Sequence, residues 1–266
     1  MTPRIIVTDM DGTLLNSEHE IPARFWPLLD EMHEQGIVFA PASGRQLYTL
    51  LDQFAQAGKH LSVIAENGTV VYHKGEIISV TTIDPEVAHR VIRTMSHSDL
   101  DWGVVVCRVD GAFIARGDVE FLTETVRYYA KLDVVDDLHS VVNDQVIKLA
   151  IYSFPDAETV AAPALAESVG DHTLAISGAH WIDIMSPHAN KGVALQQLAD
   201  NLGVPIEHTA AFGDYLNDYE LLHTAGTAYA MSNAHPDIKD IADHVVGSND
   251  EEAVLTTIHS LLTAAK

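Results

Sequence analysis

The stretch VTDMDGT, Val7–Thr13, decides how the chain is read. It closes the apolar run RIIVTD, which has the composition of a buried strand, and it ends in two carboxylates, Asp9 and Asp11, followed by Gly12. An acid at the end of a hydrophobic run is costly unless a cation or a reacting group meets it there. The rest of the sequence must supply that partner.

The 266 residues can bury a large core, in one big domain or two unequal ones, and two are expected. Acidic residues outnumber basic ones 38 to 15, for a formal charge of -23, a balance that repels nucleic acid and anionic membranes. It does not forbid an anionic substrate, because charges beyond the Debye length of about 8 Å are screened from a site. The single cysteine, Cys107, excludes an intramolecular disulfide and a cysteine-based metal site, and reads as a small buried residue in a reducing compartment. There is no basic segment followed by a cleavable apolar stretch, and no apolar run approaches the roughly 18 residues of a membrane span. A cytoplasmic protein is expected, a monomer by default with a dimer as the alternative. The fifteen histidines are scattered and read as surface residues.

Short apolar runs alternate with amphipathic stretches, the pattern of βαβ units around a mostly parallel sheet in an α/β, doubly wound Rossmann-like core. RIIVTD is the first strand, FWPLLDEMHEQG a helix starting near Arg24 to Trp26 with Trp26, Leu29 and Met32 on one stripe, and IVFAPASG a second strand ending at Ser43. RQLYTLLDQFAQAG follows as a helix with Leu47, Leu50, Leu51 and Phe54 inward, then the strand LSVIAENG, then TVVYHKGEIISV as a hairpin turning at Lys74–Gly75. From about Asp84 the texture becomes helix, hairpin, helix, strand, helix and one or two strands, LAISGAHWIDIMS, as in an insertion with its own sheet. After SPHANKG the βα rhythm returns with strands TAAFGD and TAYAMS and four helical segments. The expected organisation is a core of residues 1–83 plus 186–266 and an inserted domain of residues 84–185.

Ligands of an open parallel sheet bind beyond the carboxyl ends of its strands. There the sequence places Asp9, Asp11, Ser43, Asp214 and, one turn later, Asn217 and Asp218, while Lys191 begins a helix beside Gly192. Clustered carboxylates repel by about 4 kcal/mol per pair at 4 Å and an effective dielectric near 20, so a cation is implied. With only oxygen ligands on offer a hard ion is favoured, and Mg²⁺ suits a site that also holds phosphate and water. Singly the signals have ordinary readings: Ser43 as an N-cap, Lys191 as a solvated lysine, Asp214 and Asp218 as helix caps. Their order and placement together carry the argument.

DMDGTLL, SGR, NKG and GDYLND resemble the four successive motifs of the haloacid dehalogenase-like phosphohydrolases, and AENGTVV with AMSNAHPDIKDIAD resembles the Cof-type sugar-phosphatase subgroup, subfamily IIB. The resemblance runs nearly end to end and implies an α/β, C2-type cap inserted between the second and third motifs. It implies Asp9 as the nucleophile that forms an aspartyl-phosphate and Asp11 as the acid and base. Mg²⁺ would be held by the Asp9 carboxylate, the Asp11 backbone carbonyl and Asp214, with Asp218 in support. Ser43, Lys191, Asn217 and the backbone N–H groups near Met10 and Gly44 would bind phosphoryl oxygens. Thr13 would help hold Asp11; Arg45 would reach substrate or pair with an acid; Glu66 and Asn67 would support the site or simply form a turn. The chain has Ser43 where the family often has threonine, and Leu222 where methionine is common.

The implied activity is Mg²⁺-dependent hydrolysis of small phosphorylated metabolites, sugar phosphates foremost, with pyridoxal phosphate, flavin mononucleotide and nucleotide monophosphates also open. A phosphomutase of the phosphomannomutase kind is the alternative, followed by a receiver-like phospho-aspartate switch or a metabolite binder. GxGxxG, GxxxxGK[ST] and GxSxG are absent, against nucleotide-binding and serine-hydrolase readings. Trp181, Asp183 and His188 are candidates for the contacts that select the substrate.

Overall fold

The computed structural model describes residues 3–177 and 179–263. Its strands are, in chain order, β1 (Ile5–Asp9), β2 (Val38–Ala42), β3 (Ser62–Ala65), β4 (Val70–His73) and β5 (Glu76–Val80). Then come β6 (Trp102–Arg108), β7 (Gly111–Ile114), β8 (Leu132–Val134), β9 (Val146–Ser153), β10 (Thr173–Ile176) and β11 (Trp181–Met185). The last are β12 (Thr209–Gly213), β13 (Thr227–Ala230) and β14 (His244–Val245).

The chain divides into two compact units. The first comprises Met1–Ser43, Leu50–Ser79 and Asn190–Lys266, and its sheet has the order β14-β13-β12-β1-β2-β3-β4-β5. β1 pairs in parallel with both β2 and β12. From β1 the chain moves outward to β2 and β3, and it returns on the other side at β12 before moving outward to β13 and β14. That reversal opens a crevice beyond the carboxyl end of β1, where an open α/β sheet receives its ligand.

Helices form two packed groups, Phe25–Glu34 with Ala253–Thr263, and Lys191–Leu202 with Tyr219–Thr224 and Pro236–Ile241. The first group rests on an aromatic core in which Phe25 meets Phe39 at 4.9 Å and Phe54 at 5.8 Å between ring centroids. The buried stripe of this helix is Phe25, Leu28, Leu29 and Met32. Trp26, expected to share it, is only half-buried, because the stripe starts one residue earlier. The helix after β2 is likewise shorter than its periodicity suggests: it spans Leu47–Gln53 and tightens into a 3₁₀ segment, Ala55–His60, leaving Leu51 half-buried.

The second unit comprises Gly44–Thr49 and Val80–Ala189. Its sheet has the order β10-β11-β9-β6-β7-β8, antiparallel except for the β7–β8 pair. Helices Pro85–Ser96 and Ala162–Val169 pack together over one core with Val91, Leu149, Ile151, Leu165, Ile182 and Ile184. LAISGAHWIDIMS resolves into two antiparallel strands, β10 and β11; Gly178 lies outside the described residues. Pro163 sits in the first turn of its helix, where its missing N–H is harmless, after a π-type turn at Ala157–Ala161. Cys107 is fully buried. Among the described residues no helix is long and apolar enough to cross a membrane.

Helix Lys191–Leu202 lies against helix Tyr219–Thr224 at Gly192, where an added Cβ would overlap the Glu220 carbonyl oxygen and lie 2.6 Å from Thr224 Oγ1. Glycine to alanine inside an open helix stabilises by roughly 0.5–1 kcal/mol. Gly192→Ala is expected instead to destabilise the protein by about 1–3 kcal/mol through overpacking, read as a lower urea midpoint with an unchanged slope.

Candidate active site

Register sets the site. Asp9 ends β1 opposite Ala42, so Ser43 lies one residue beyond it on the neighbouring strand. On the other side Thr8 pairs with Phe212, so Asp214 emerges just past the end of β12. Lys191 is the first residue of its helix, which Asn190 caps by accepting the Val193 N–H at 2.8 Å.

The Lys191 ammonium is buried and donates hydrogen bonds of 2.6 Å to Oδ1 of both Asp9 and Asp218. Asp218, fully buried, accepts the backbone N–H groups of Asp214 and Tyr215 on its other oxygen, at 3.0 and 3.3 Å. It therefore braces both Lys191 and the start of the Asp214 loop. Carboxylate oxygens of Asp9, Asp214 and Asp218 all lie within 4.8 Å of one another. All the donors are oxygens, and one buried ammonium cannot neutralise three acids, so the cluster fits a hard divalent cation.

Thr13 corrects the sequence expectation. Its hydroxyl donates to Asp214 Oδ1 at 2.9 Å instead of holding Asp11. The cause is Gly12, whose left-handed φ of +77° turns the chain toward β12; an added Cβ there would lie 2.9 Å from Asp214 Cγ. Asn233 Nδ2 fixes the same turn by donating to the Gly12 carbonyl at 2.8 Å. The Asp11 carboxylate stands outside the three-acid group and meets His19 Nδ1 at 3.2 Å. His19, a contact that the sequence reading missed, has a left-handed φ of 61°.

Ser43 is buried, its N–H donating to the Ile64 carbonyl and its carbonyl accepting the Asn67 N–H, each at 2.9 Å. Glu66 and Asn67 are buried and both left-handed, with φ of 53° and 56°, a local strain of order 1–3 kcal/mol each. The strained turn brings Asn67 Oδ1 within 3.3 Å of Asn217 Nδ2. At Gly68, next in the turn, an added Cβ would lie 2.5 Å from the Asn190 carbonyl carbon, so the turn sits directly against the cap of the Lys191 helix. Met10 is buried and its carbonyl accepts the Leu15 N–H.

Gly44 and Arg45 fall in the second unit. The Gly44 carbonyl accepts from Lys148 Nζ at 2.8 Å, and the Arg45 guanidinium lies 5.6 Å from the Tyr128 ring centroid. Of the proposed selectivity residues, Trp181 packs against Tyr128 and Tyr152, Asp183 is buried in an ion pair with Lys148, and His188 is exposed. Lys148 is not among the residues expected from the sequence, although a lysine inside the apolar run VIKLAIYS is a signal in itself.

Burial foremost, and then the Asp218 charge, push the Asp9 carboxyl well above the ordinary range, against the pull of Lys191. The same two causes push Asp214 up to about 7. Burial opposes the Lys191 charge, but Asp218 and Asp9 outweigh it and raise the ammonium pKa. In electrostatic terms the cluster accepts positive charge, from protons or from a cation.

The profile of the haloacid dehalogenase-like hydrolases matches residues 6–258. The chain belongs to that family. It is similar to the 5-amino-6-(5-phospho-D-ribitylamino)uracil phosphatase YbjI of Escherichia coli K12, 29% identical over 266 residues that cover 98% of this chain and 97% of the relative. It is also similar to the phosphatase YwpJ of Bacillus subtilis 168, 30% identical over 286 residues that cover 97% of this chain and 100% of the relative. Among solved structures, SMU.1108c of Streptococcus mutans UA159 matches with a TM-score of 0.88 at 27% identity, covering 98% of this chain and 100% of that one. The family fold, an α/β parallel-sheet core with a cap domain, is the fold of this chain.

The raised carboxyl pKa values set the sign of a pH effect. Folded without a cation, Asp214 keeps its proton up to about 7, whereas the unfolded chain releases it near 3.8. Stability from this source is present at low pH, falls as pH rises between those values and is constant above them. A divalent cation is therefore expected to raise Tm more at about pH 8 than at about pH 5, and Asp214→Asn is expected to remove most of that difference in thermal unfolding.

Proposed function

We propose that this chain is a Mg²⁺-dependent phosphatase of small phosphorylated metabolites, with sugar and sugar-alcohol phosphates as the leading substrate class. The observation that carries the reading is the buried Asp9 carboxylate, held by Lys191 at 2.6 Å beside a second and third acid. The substrate named for YbjI, a phosphate ester on a ribityl chain, supports the sugar-alcohol class.

Asp9 is the nucleophile. Its oxygen bonds to phosphorus as the bond to the leaving alkoxide breaks, giving an aspartyl-phosphate that water then hydrolyses. Asp11 protonates the alkoxide and then takes a proton from the attacking water. Its carboxylate is half-exposed against His19 and stands outside the three-acid cluster, a position suited to proton transfer with substrate and water. Lys191 orients Asp9 and, with Ser43, Asn217 and the N–H groups near Met10 and Gly44, receives the phosphoryl oxygens. Asp9, Asp214 and the Asp11 carbonyl would hold Mg²⁺, with Asp218 as their brace; when bound, the ion shields the repulsion between an anionic nucleophile and an anionic phosphate. We assign residues 84–185, with their own sheet, as the cap domain, and residues 1–83 plus 186–266 as the catalytic core.

Phosphate release from a panel of phosphorylated metabolites tests the proposal. With Mg²⁺ the wild type is expected to release inorganic phosphate, and EDTA or Asp9→Asn is expected to abolish turnover. Asp11→Asn should cost about 10²–10⁴-fold in kcat. Transfer of the phosphoryl group to another sugar hydroxyl without phosphate release would identify a mutase instead.

A further inference from the structure

Lys148 lies within β9 among buried apolar residues, and its side chain is itself 1% exposed. Its ammonium meets Asp183 Oδ1 at 3.2 Å, and Asp183 Oδ2 accepts from Ser177 Oγ at 2.6 Å. A buried ion pair seldom outweighs the desolvation of its two charges, and an apolar pair of similar volume would stabilise the sheet as well. What an apolar pair could not do is donate a hydrogen bond, and Lys148 donates one to the Gly44 carbonyl at 2.8 Å.

Gly44 opens a segment fastened to the same unit along its length. The Gln46 amide makes two hydrogen bonds with the Lys131 backbone, at 2.8 and 2.9 Å. The Thr49 hydroxyl donates to the Tyr128 carbonyl at 2.8 Å and accepts the Ala130 N–H at 2.9 Å. At its start the segment is held by Lys148, and the residue immediately before it in the chain is Ser43.

We propose that Lys148, oriented by Asp183, is a positioning residue for the phosphoryl-binding turn Ser43–Gly44: Ile64 and Asn67 hold its Ser43 side, and Lys148, by holding the Gly44 carbonyl, fixes its Gly44 side. This rests on the phosphatase reading above. Ser43 keeps its own bonds to Ile64 and Asn67, so loss of the charged donor releases only the Gly44 side of the turn, weakening every phosphoryl ligand alike, whatever its leaving group.

The test compares the wild type, Lys148→Arg and the double variant Lys148→Met/Asp183→Asn, which removes both charges so that neither is left buried alone. The probes are p-nitrophenyl phosphate as substrate and inorganic phosphate as competitive inhibitor. In the double variant the inhibition constant for phosphate and the KM are expected to rise together by about 10- to 100-fold, while Lys148→Arg, which keeps a donor, stays within about threefold. An unchanged phosphate affinity overturns the inference, whether KM alone moves, as for a leaving-group contact, or only the unfolding midpoint falls, as for a structural pair. Should the double variant fail to fold, Ser177→Ala decides: it loosens Asp183 alone, and a two- to threefold weaker phosphate affinity supports the inference where no change refutes it. Asp9-dependent phosphate release by the wild type tests the phosphatase reading separately, so an active enzyme indifferent to these substitutions refutes only the role of Lys148.

Discussion

The arrangement depends on one buried ammonium between two carboxylates. Lys191 reaches Asp9 and Asp218 at once, and a third acid, Asp214, shares the space. At an effective dielectric near 20, two carboxylates about 4.8 Å apart repel by roughly 3 kcal/mol, so three acids and one lysine are stable together only if something further balances them. Without a cation, burial and the Asp218 charge push the pKa values of Asp9 and Asp214 upward, which favours protons in its place. The charge left uncompensated when all three are ionised equals that of one divalent ion.

The fold around this cluster is organised by close approaches. Gly12 turns β1 against Asp214, Gly68 lets the Glu66–Asn67 turn rest on the cap of the Lys191 helix, and Gly192 lets that helix lie on its neighbour. Each is a place where a Cβ would not fit, the first against the Asp214 carboxylate and the other two along the helix that carries Lys191. Rigidity of this kind lets a site hold like charges together, because relaxing any one of them would require moving a helix or a strand.

Much of this was legible in the residues. The parallel strands, the hairpin at Lys74–Gly75, the insertion with its own sheet and the family itself follow from apolar runs, turn signals and four short motifs, and the structure brings Asp9, Lys191, Asp214 and Asp218 into one cluster. What escaped has physical reasons. β8 and β14 span three residues and two, too short for any periodicity to register. The resemblance implies that Thr13 holds Asp11, whereas the left-handed turn at Gly12 carries it to Asp214. Lys148 escaped because its partners, Gly44 and Asp183, are distant in sequence and no local pattern joins them.

The most direct measurement is calorimetric titration of the metal-free protein with Mg²⁺ at constant ionic strength, beside the Asp214→Asn variant. The charge balance at Asp9, Asp214, Asp218 and Lys191 predicts one ion per chain, with binding lost in the variant. Equal binding by both proteins, or none by the wild type, would contradict it.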